Sequence, residues 1–110
     1  MADVRLGVLV SGNGTNLQAI IDSIESGTLS ASVACVISNK ADAFALERAR
    51  KHGIPAIHLG YKGFESRDAY DAALVRLLRE HGVGLVVLAG FMRILTPTII
   101  DAFPNRIMNI

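Results

Sequence analysis

The stretch Ser11-Gly12-Asn13-Gly14-Thr15-Asn16 is the part of this chain best suited to chemistry. It is a glycine-rich turn between an apolar run and a helix-forming segment. A turn of this kind aims backbone N–H groups and a helix N-terminus at one point, which suits an anion. Thr15 and Asn16 add side-chain donors, and the glycines let a phosphate approach the main chain closely. No Gly-Lys-Ser/Thr occurs, so the turn is not a Walker A loop. Leu17 stands where a dinucleotide fingerprint needs its third glycine. The next apolar run ends in Ser38-Asn39-Lys40, without the acidic residue that holds an NAD ribose. These residues predict a site for one phosphate group; a tight turn with no ligand is the competing reading.

Other residues are candidates by their position. Lys40 reads either as a second phosphate contact or as a solvated loop charge. Arg67 opens a helix, where a cation opposes the macrodipole, and an anionic ligand nearby would offset that misfit. Arg93 closely follows the most strand-like run, where a charge meets the ligand crevice of an open sheet. Asn109 sits inside an apolar strand pattern and is expected to be buried and in need of partners; a site role and a structural hydrogen bond both fit. His52, His58 and His81 read as structural. No His, Cys, Asp and Glu set has metal-ligand spacing, so no metal is expected.

The elements that must position these residues follow from apolar periodicity and its stops. Val4–Val10 predicts a buried strand. Thr15 or Asn16 can cap a helix that runs to about Ser26, with Leu17, Ile20, Ile21 and Ile24 on one face and Gly27 as its stop. Val33–Ile37 predicts a second strand. Asp42 is the expected N-cap of a helix to His52, with Phe44, Leu46 and Ala49 on its apolar side. Ile54–Leu59 predicts a weaker third strand. Ser66 caps a helix striped by Tyr70, Ala73, Leu74, Leu77 and Leu78 and ended by Gly82. Leu85–Ala89 predicts the fourth strand, Thr96-Pro97 a helix start with proline in first position, and Arg106–Ile110 a fifth strand. This alternation is the pattern of a doubly wound, mostly parallel α/β sheet of Rossmann type.

Composition agrees with that architecture. The 110 residues are 51% hydrophobic and 19% charged, with no Trp, so one domain (1–110) has an aliphatic core. The net charge is +1, and no block of like charge argues for a nucleic-acid or membrane surface. The single Cys35 reads as a small buried hydrophobe in a reducing compartment. No apolar stretch approaches the ~20 residues of a membrane span, and the start lacks a signal-peptide layout; the expected location is cytoplasmic. The chain stops inside an apolar strand pattern. That predicts an N-terminal half truncated after its fifth strand, with apolar surface exposed near Leu85–Leu88 and Ile107–Ile110; a short domain ending on an edge strand is the alternative.

Four blocks together carry a resemblance: Ser11-Gly12-Asn13-Gly14-Thr15-Asn16-Leu17-Gln18, Ser38-Asn39-Lys40-Ala41-Asp42-Ala43, Gly90-Phe91-Met92-Arg93-Ile94-Leu95 and Met108-Asn109-Ile110. In this order the chain resembles the phosphoribosylglycinamide formyltransferase family of purine biosynthesis along its whole length. The resemblance implies formyl transfer from 10-formyltetrahydrofolate, as co-substrate, to the amine of glycinamide ribonucleotide, with no metal. It implies that Gly12, Asn13, Gly14, Thr15 and Asn16 hold the ribonucleotide's phosphate and sugar. It implies that Arg67, Met92, Arg93, Ile94 and Leu95, with Asn109, line the folate site, and that Asn109 matches the family's catalytic Asn. The family reads Asn-x-His-Pro, and its catalytic His and Asp would lie beyond Ile110, so the 110 residues alone are expected to bind without transferring. A homodimer or a complementing C-terminal segment is the expected partner. The rival readings are a non-catalytic phosphate- or nucleotide-binding module, one chain of a split enzyme, and another folate-dependent formyltransferase or hydrolase relative.

Overall fold

The computed structural model describes residues 4–110. Its strands are β1 (Val4–Val10), β2 (Ala31–Ser38), β3 (Ala56–His58), β4 (Leu85–Leu88) and β5 (Ile107–Asn109). Its helices are α1 (Thr15–Glu25), α2 (Phe44–Lys51), α3 (Arg67–Glu80) and α4 (Pro97–Ala102). The strands form one sheet in the order β3-β2-β1-β4-β5, and every neighbouring pair is parallel. This is the doubly wound, Rossmann-like α/β architecture that the alternation of apolar runs predicts.

Parallel strands need crossovers, and the helices of those crossovers bury both faces of the sheet. Leu6, Val8 and Val10 of β1 face α1 and α2, meeting Leu17, Ile21, Leu46 and Ala49. Leu9, Cys35 and Ile37 face α3 and α4, meeting Tyr70, Leu74, Leu78 and Ile99. Gly7 lies on this second face. A Cβ there would stand 2.5 Å from Leu78 and 2.9 Å from Val83, so the missing side chain is what lets α3 approach β1. Cys35 is fully buried, and burial pushes its thiol up to about 11 despite the opposing charge of Arg5. It is a packed hydrophobe in the fold.

Several local expectations are corrected. Neither Thr15 nor Asn16 caps α1: Thr15 is its first residue, and the N-cap is Gly14 at φ 82°, with no side-chain cap. Asp42 does not cap α2; Ala43 takes that place, again without a side-chain bond. Ser66 does cap α3, accepting from the Ala69 N–H at 3.1 Å. β3 is shorter than the run Ile54–Leu59, because only Ala56–His58 finds partners along β2. Phe44 is 49% exposed, since it lies on the outer side of α2 and packs against the guanidinium of Arg48.

Candidate active site

The strand order reverses between β1 and β4. In an open parallel sheet, ligands collect in the crevice outside the carboxyl ends of the strands at that reversal. β1 runs out into Ser11–Gly14 and β4 into Ala89–Leu95, so two of the segments singled out in the sequence border the crevice.

A single buried hydroxyl ties these loops together. Ser11 Oγ donates to Asn39 Oδ1 at 2.6 Å and accepts from the Met92 N–H at 2.7 Å. The Ser11 N–H donates to the Gly90 carbonyl at 3.2 Å. The loops after β1, β2 and β4 therefore converge on one residue. Lys40 is exposed beside them, and its N–H donates to Ser38 Oγ at 3.0 Å.

The glycine-rich loop leans on α2. The Gly12 carbonyl accepts from the Ala45 N–H at 3.1 Å. The Asn13 carbonyl accepts from Arg48 Nε at 2.8 Å, and Asn13 Oδ1 from Arg48 Nη2 at 2.7 Å. Among the described residues, no protein acceptor meets the backbone N–H groups of Asn13, Gly14, Thr15 and Asn16. Gly12, Asn13, Thr15 and Asn16 are exposed, and Gly14 half-buried. The two glycines have different jobs. A Cβ at Gly12 would meet nothing within 4 Å, so its open side faces solvent. A Cβ at Gly14 would stand 2.6 Å from Ala45 Cβ and 2.8 Å from its Cα. Gly14 is thus required by its left-handed backbone and by packing on α2, not by the approach of a ligand to its missing side chain.

The loop after β4 is anchored from α3. Asp71, 3% exposed on an otherwise apolar face, accepts from the Thr96 N–H at 2.7 Å and from Thr96 Oγ1 at 2.8 Å. Within that loop, Met92 and Ile94 are 75% and 73% exposed, while Leu95 packs against the core. Arg93 does not reach into open solvent: its guanidinium lies 3.7 Å from the ring centroid of Tyr61. Tyr61 in turn packs on Tyr70, whose hydroxyl donates to the Leu59 carbonyl at 2.6 Å. Burial pushes the Tyr70 phenol up to about 12, the neighbouring Asp71 carboxylate adds to the rise, and Arg93 opposes it. Arg67 is exposed in the first turn of α3.

Asn109 is corrected. It is exposed, not buried, because β5 is an edge strand. It pairs with Leu88, which pairs with Leu9. Two interstrand spacings put its backbone about 10 Å from β1, level with the last residues before the glycine-rich loop. The register turns it toward the face of α3 and α4. The histidines lie elsewhere. His52 Nδ1 pairs with Glu25 at 2.7 Å, His81 Nδ1 bonds the Leu77 carbonyl at 2.8 Å, and the His58 ring packs beside Gly60. Among the described residues no group of three or more His, Cys, Asp or Glu gathers to hold a metal, and no helix is long and apolar enough to cross a membrane.

The sequence reading passed over Arg48 and Asp71. Their role is to orient loops through partners far away in the chain. Asp71 did leave a signal, a carboxylate set among Tyr70, Leu74, Val75 and Leu78 on the buried face of α3. Arg48 left none, since a basic residue near the end of a helix is ordinary.

Comparison with known proteins gives a consistent set of relatives. The sequence profile of the family described as formyl transferase matches residues 4–110. The chain is 50% identical over 107 residues to a phosphoribosylglycinamide formyltransferase of Escherichia coli K12, covering 97% of this chain and 50% of that protein. It is 41% identical over 106 residues to the human trifunctional purine biosynthetic protein adenosine-3, covering 96% of this chain and 10% of that one. The crystal structure of glycinamide ribonucleotide transformylase 1 from Symbiobacterium toebii superposes with a TM-score of 0.96 at 51% identity, over 98% of this chain and 51% of that chain. The chain thus spans about half the length of the bacterial relatives it matches.

Proposed function

The chain belongs to the formyl transferase family, and from that premise we propose that it carries the ribonucleotide-phosphate loop and part of the folate side of a phosphoribosylglycinamide formyltransferase. The observation that carries the reading is the uncapped start of α1. Backbone N–H groups of Asn13–Asn16 are left without protein acceptors at the reversal point of the sheet. They would bind the phosphate of glycinamide ribonucleotide, with the Thr15 and Asn16 side chains on its phosphate and sugar.

The residues present also suit a folate. Met92 and Ile94 offer exposed apolar side chains on the loop after β4, with Arg93 and Arg67 as cations for the anionic part of the co-substrate. When bound, 10-formyltetrahydrofolate supplies the formyl group. The glycinamide amine forms the new C–N bond, the bond from the formyl carbon to the folate nitrogen breaks, and the amine's proton ends on that nitrogen. Asn109 donates an amide N–H to the formyl oxygen as negative charge develops there. It has no proton to exchange near neutral pH. By the resemblance, the proton step falls to the His and Asp that follow Asn109 in the family's pattern. Completion by a second copy or by a complementing segment, and a cytoplasmic location, belong to the same proposal. The apolar groove of about 260 Å³ floored by Leu85, Val87 and Met108 supports completion of this kind.

Calorimetry with glycinamide ribonucleotide and a formyl-transfer assay test the proposal. The 110-residue chain binds the ribonucleotide and transfers no formyl group; supplied with a relative's C-terminal half, it turns over. In the completed enzyme, Asn109→Ala lowers kcat by about 10²–10³-fold, and by more than it raises the nucleotide KM. Transfer by the 110 residues alone would overturn the division of labour. Binding with no turnover after completion would favour a non-catalytic module.

A further inference from the structure

Arg48 reaches from α2 to the glycine-rich loop with most of its hydrogen-bonding fork. Nε and Nη2 donate to the carbonyl and side-chain oxygens of Asn13 at 2.8 and 2.7 Å, and Nη1 donates to Gln18 Oε1 at 3.2 Å. The guanidinium lies 4.8 Å from the centroid of the Phe44 ring, which gives that exposed aromatic a function as a plate. We propose that Arg48 is a positioning residue of the phosphate loop, acting through Asn13 to aim the loop's N–H donors at the ligand crevice. The inference rests on the phosphate-loop reading above.

In a planar trans peptide, the C=O of one residue and the N–H of the next point in opposite directions. Arg48 draws the Asn13 carbonyl toward α2, so the Gly14 N–H turns away from α2. The Ala45 N–H draws the Gly12 carbonyl the same way, so the Asn13 N–H also turns outward. Two successive donors are thus fixed by two acceptors pinned to one helix. The Ala45 bond is backbone to backbone, and the Arg48 bonds are the part made by a side chain. No cap side chain does this work, because the N-cap is Gly14. The close approach of Gly14 to Ala45, and to Arg48 Cδ at 3.3 Å from its would-be Cβ, keeps the loop within reach of the fork.

The test uses the whole chain and inorganic phosphate as probe, read from amide resonances of Asn13–Asn16. The wild type shifts saturably. Arg48→Met binds about tenfold more weakly, because the oriented loop is then only a fraction of the population. Arg48→Lys, which keeps the charge and the stem, is weakened as well, since an ammonium lacks the planar fork that spans both oxygens of Asn13. Lysine binding within twofold of wild type would overturn the proposal, because charge at a distance would then suffice. So would Arg48→Met binding within twofold. If Arg48→Met loses its dispersed spectrum, the lysine variant decides alone. A wild type with no saturable shift would instead sink the phosphate-loop reading on which the proposal stands.

Discussion

Replacing Gly14 by alanine tests the separate roles assigned to the two glycines. Gly14 has φ 82°, a left-handed conformation that costs a non-glycine residue about 1–2 kcal/mol. Its new Cβ would meet Ala45 Cβ at 2.6 Å and Ala45 Cα at 2.8 Å, and the second is backbone, which does not rotate away. Overpacking of this kind costs about 1–3 kcal/mol. The sum is about 2–5 kcal/mol, a large share of the ~5–15 kcal/mol by which domains are stable, and it lowers the melting temperature by about 10 °C or more. Gly12→Val is the control, since a Cβ at Gly12 meets nothing within 4 Å and its φ is not left-handed. It keeps stability within about 0.5 kcal/mol yet abolishes phosphate binding, because the branched side chain fills the open side of the loop. Denaturant unfolding of both variants, with a phosphate titration of Gly12→Val, measures all three quantities. The reasoning is refuted if Gly14→Ala unfolds at the wild-type midpoint, or if Gly12→Val is the less stable of the two.

Asp71→Ala leaves the half-buried Thr96 N–H without its acceptor, which costs about 1–3 kcal/mol and speeds hydrogen exchange at Thr96; unchanged exchange there would show that Asp71 does not anchor the loop. Burial holds the Cys35 thiol at about 11, up from 9.0, so its stabilising contribution is complete below pH 9 and lost as pH rises to 11, where the unfolded thiol ionises first. Stability should therefore fall across that window by up to about 1.4 kcal/mol per pH unit, and Cys35→Ala should flatten the fall; an identical slope in that variant would count against a buried, neutral thiol.

The order of elements could be read from the sequence because apolar runs and glycine stops are local signals. The runs Leu6–Val10 and Leu85–Ala89 are continuous because both faces of a parallel sheet are covered. Burial of single residues was less legible. Asn109 and Val87 both sit in apolar runs, yet one is exposed on an edge strand and the other is buried on an interior strand, and a run does not reveal which strand is the edge. Phe44 fits the apolar periodicity of α2, but the pattern cannot show that an arginine one turn later covers it instead of the core. The crevice was legible as a set of loops. The residues that hold those loops in place were not, because their partners lie far along the chain, as Asn13 does from Arg48 and Thr96 from Asp71.

The strand order also sets when the crevice can exist as the chain folds. β1 meets β2 early, Leu6 pairing with Val33, and α1 lies between them as the crossover. On its other side the same Leu6 waits for Leu85, after α2, β3 and α3 have all been threaded. Closing that longer loop costs more chain entropy and slows the contact, while the half built from β1, β2 and β3 is local enough to assemble first. The Ser11 hydroxyl is therefore expected to meet Asn39 before Met92, and pulse-labelled hydrogen exchange during refolding, with Met92 N–H protected after the β1–β2 amides, checks it. On that order the candidate crevice would lie on a kinetic seam between an early half and a late strand.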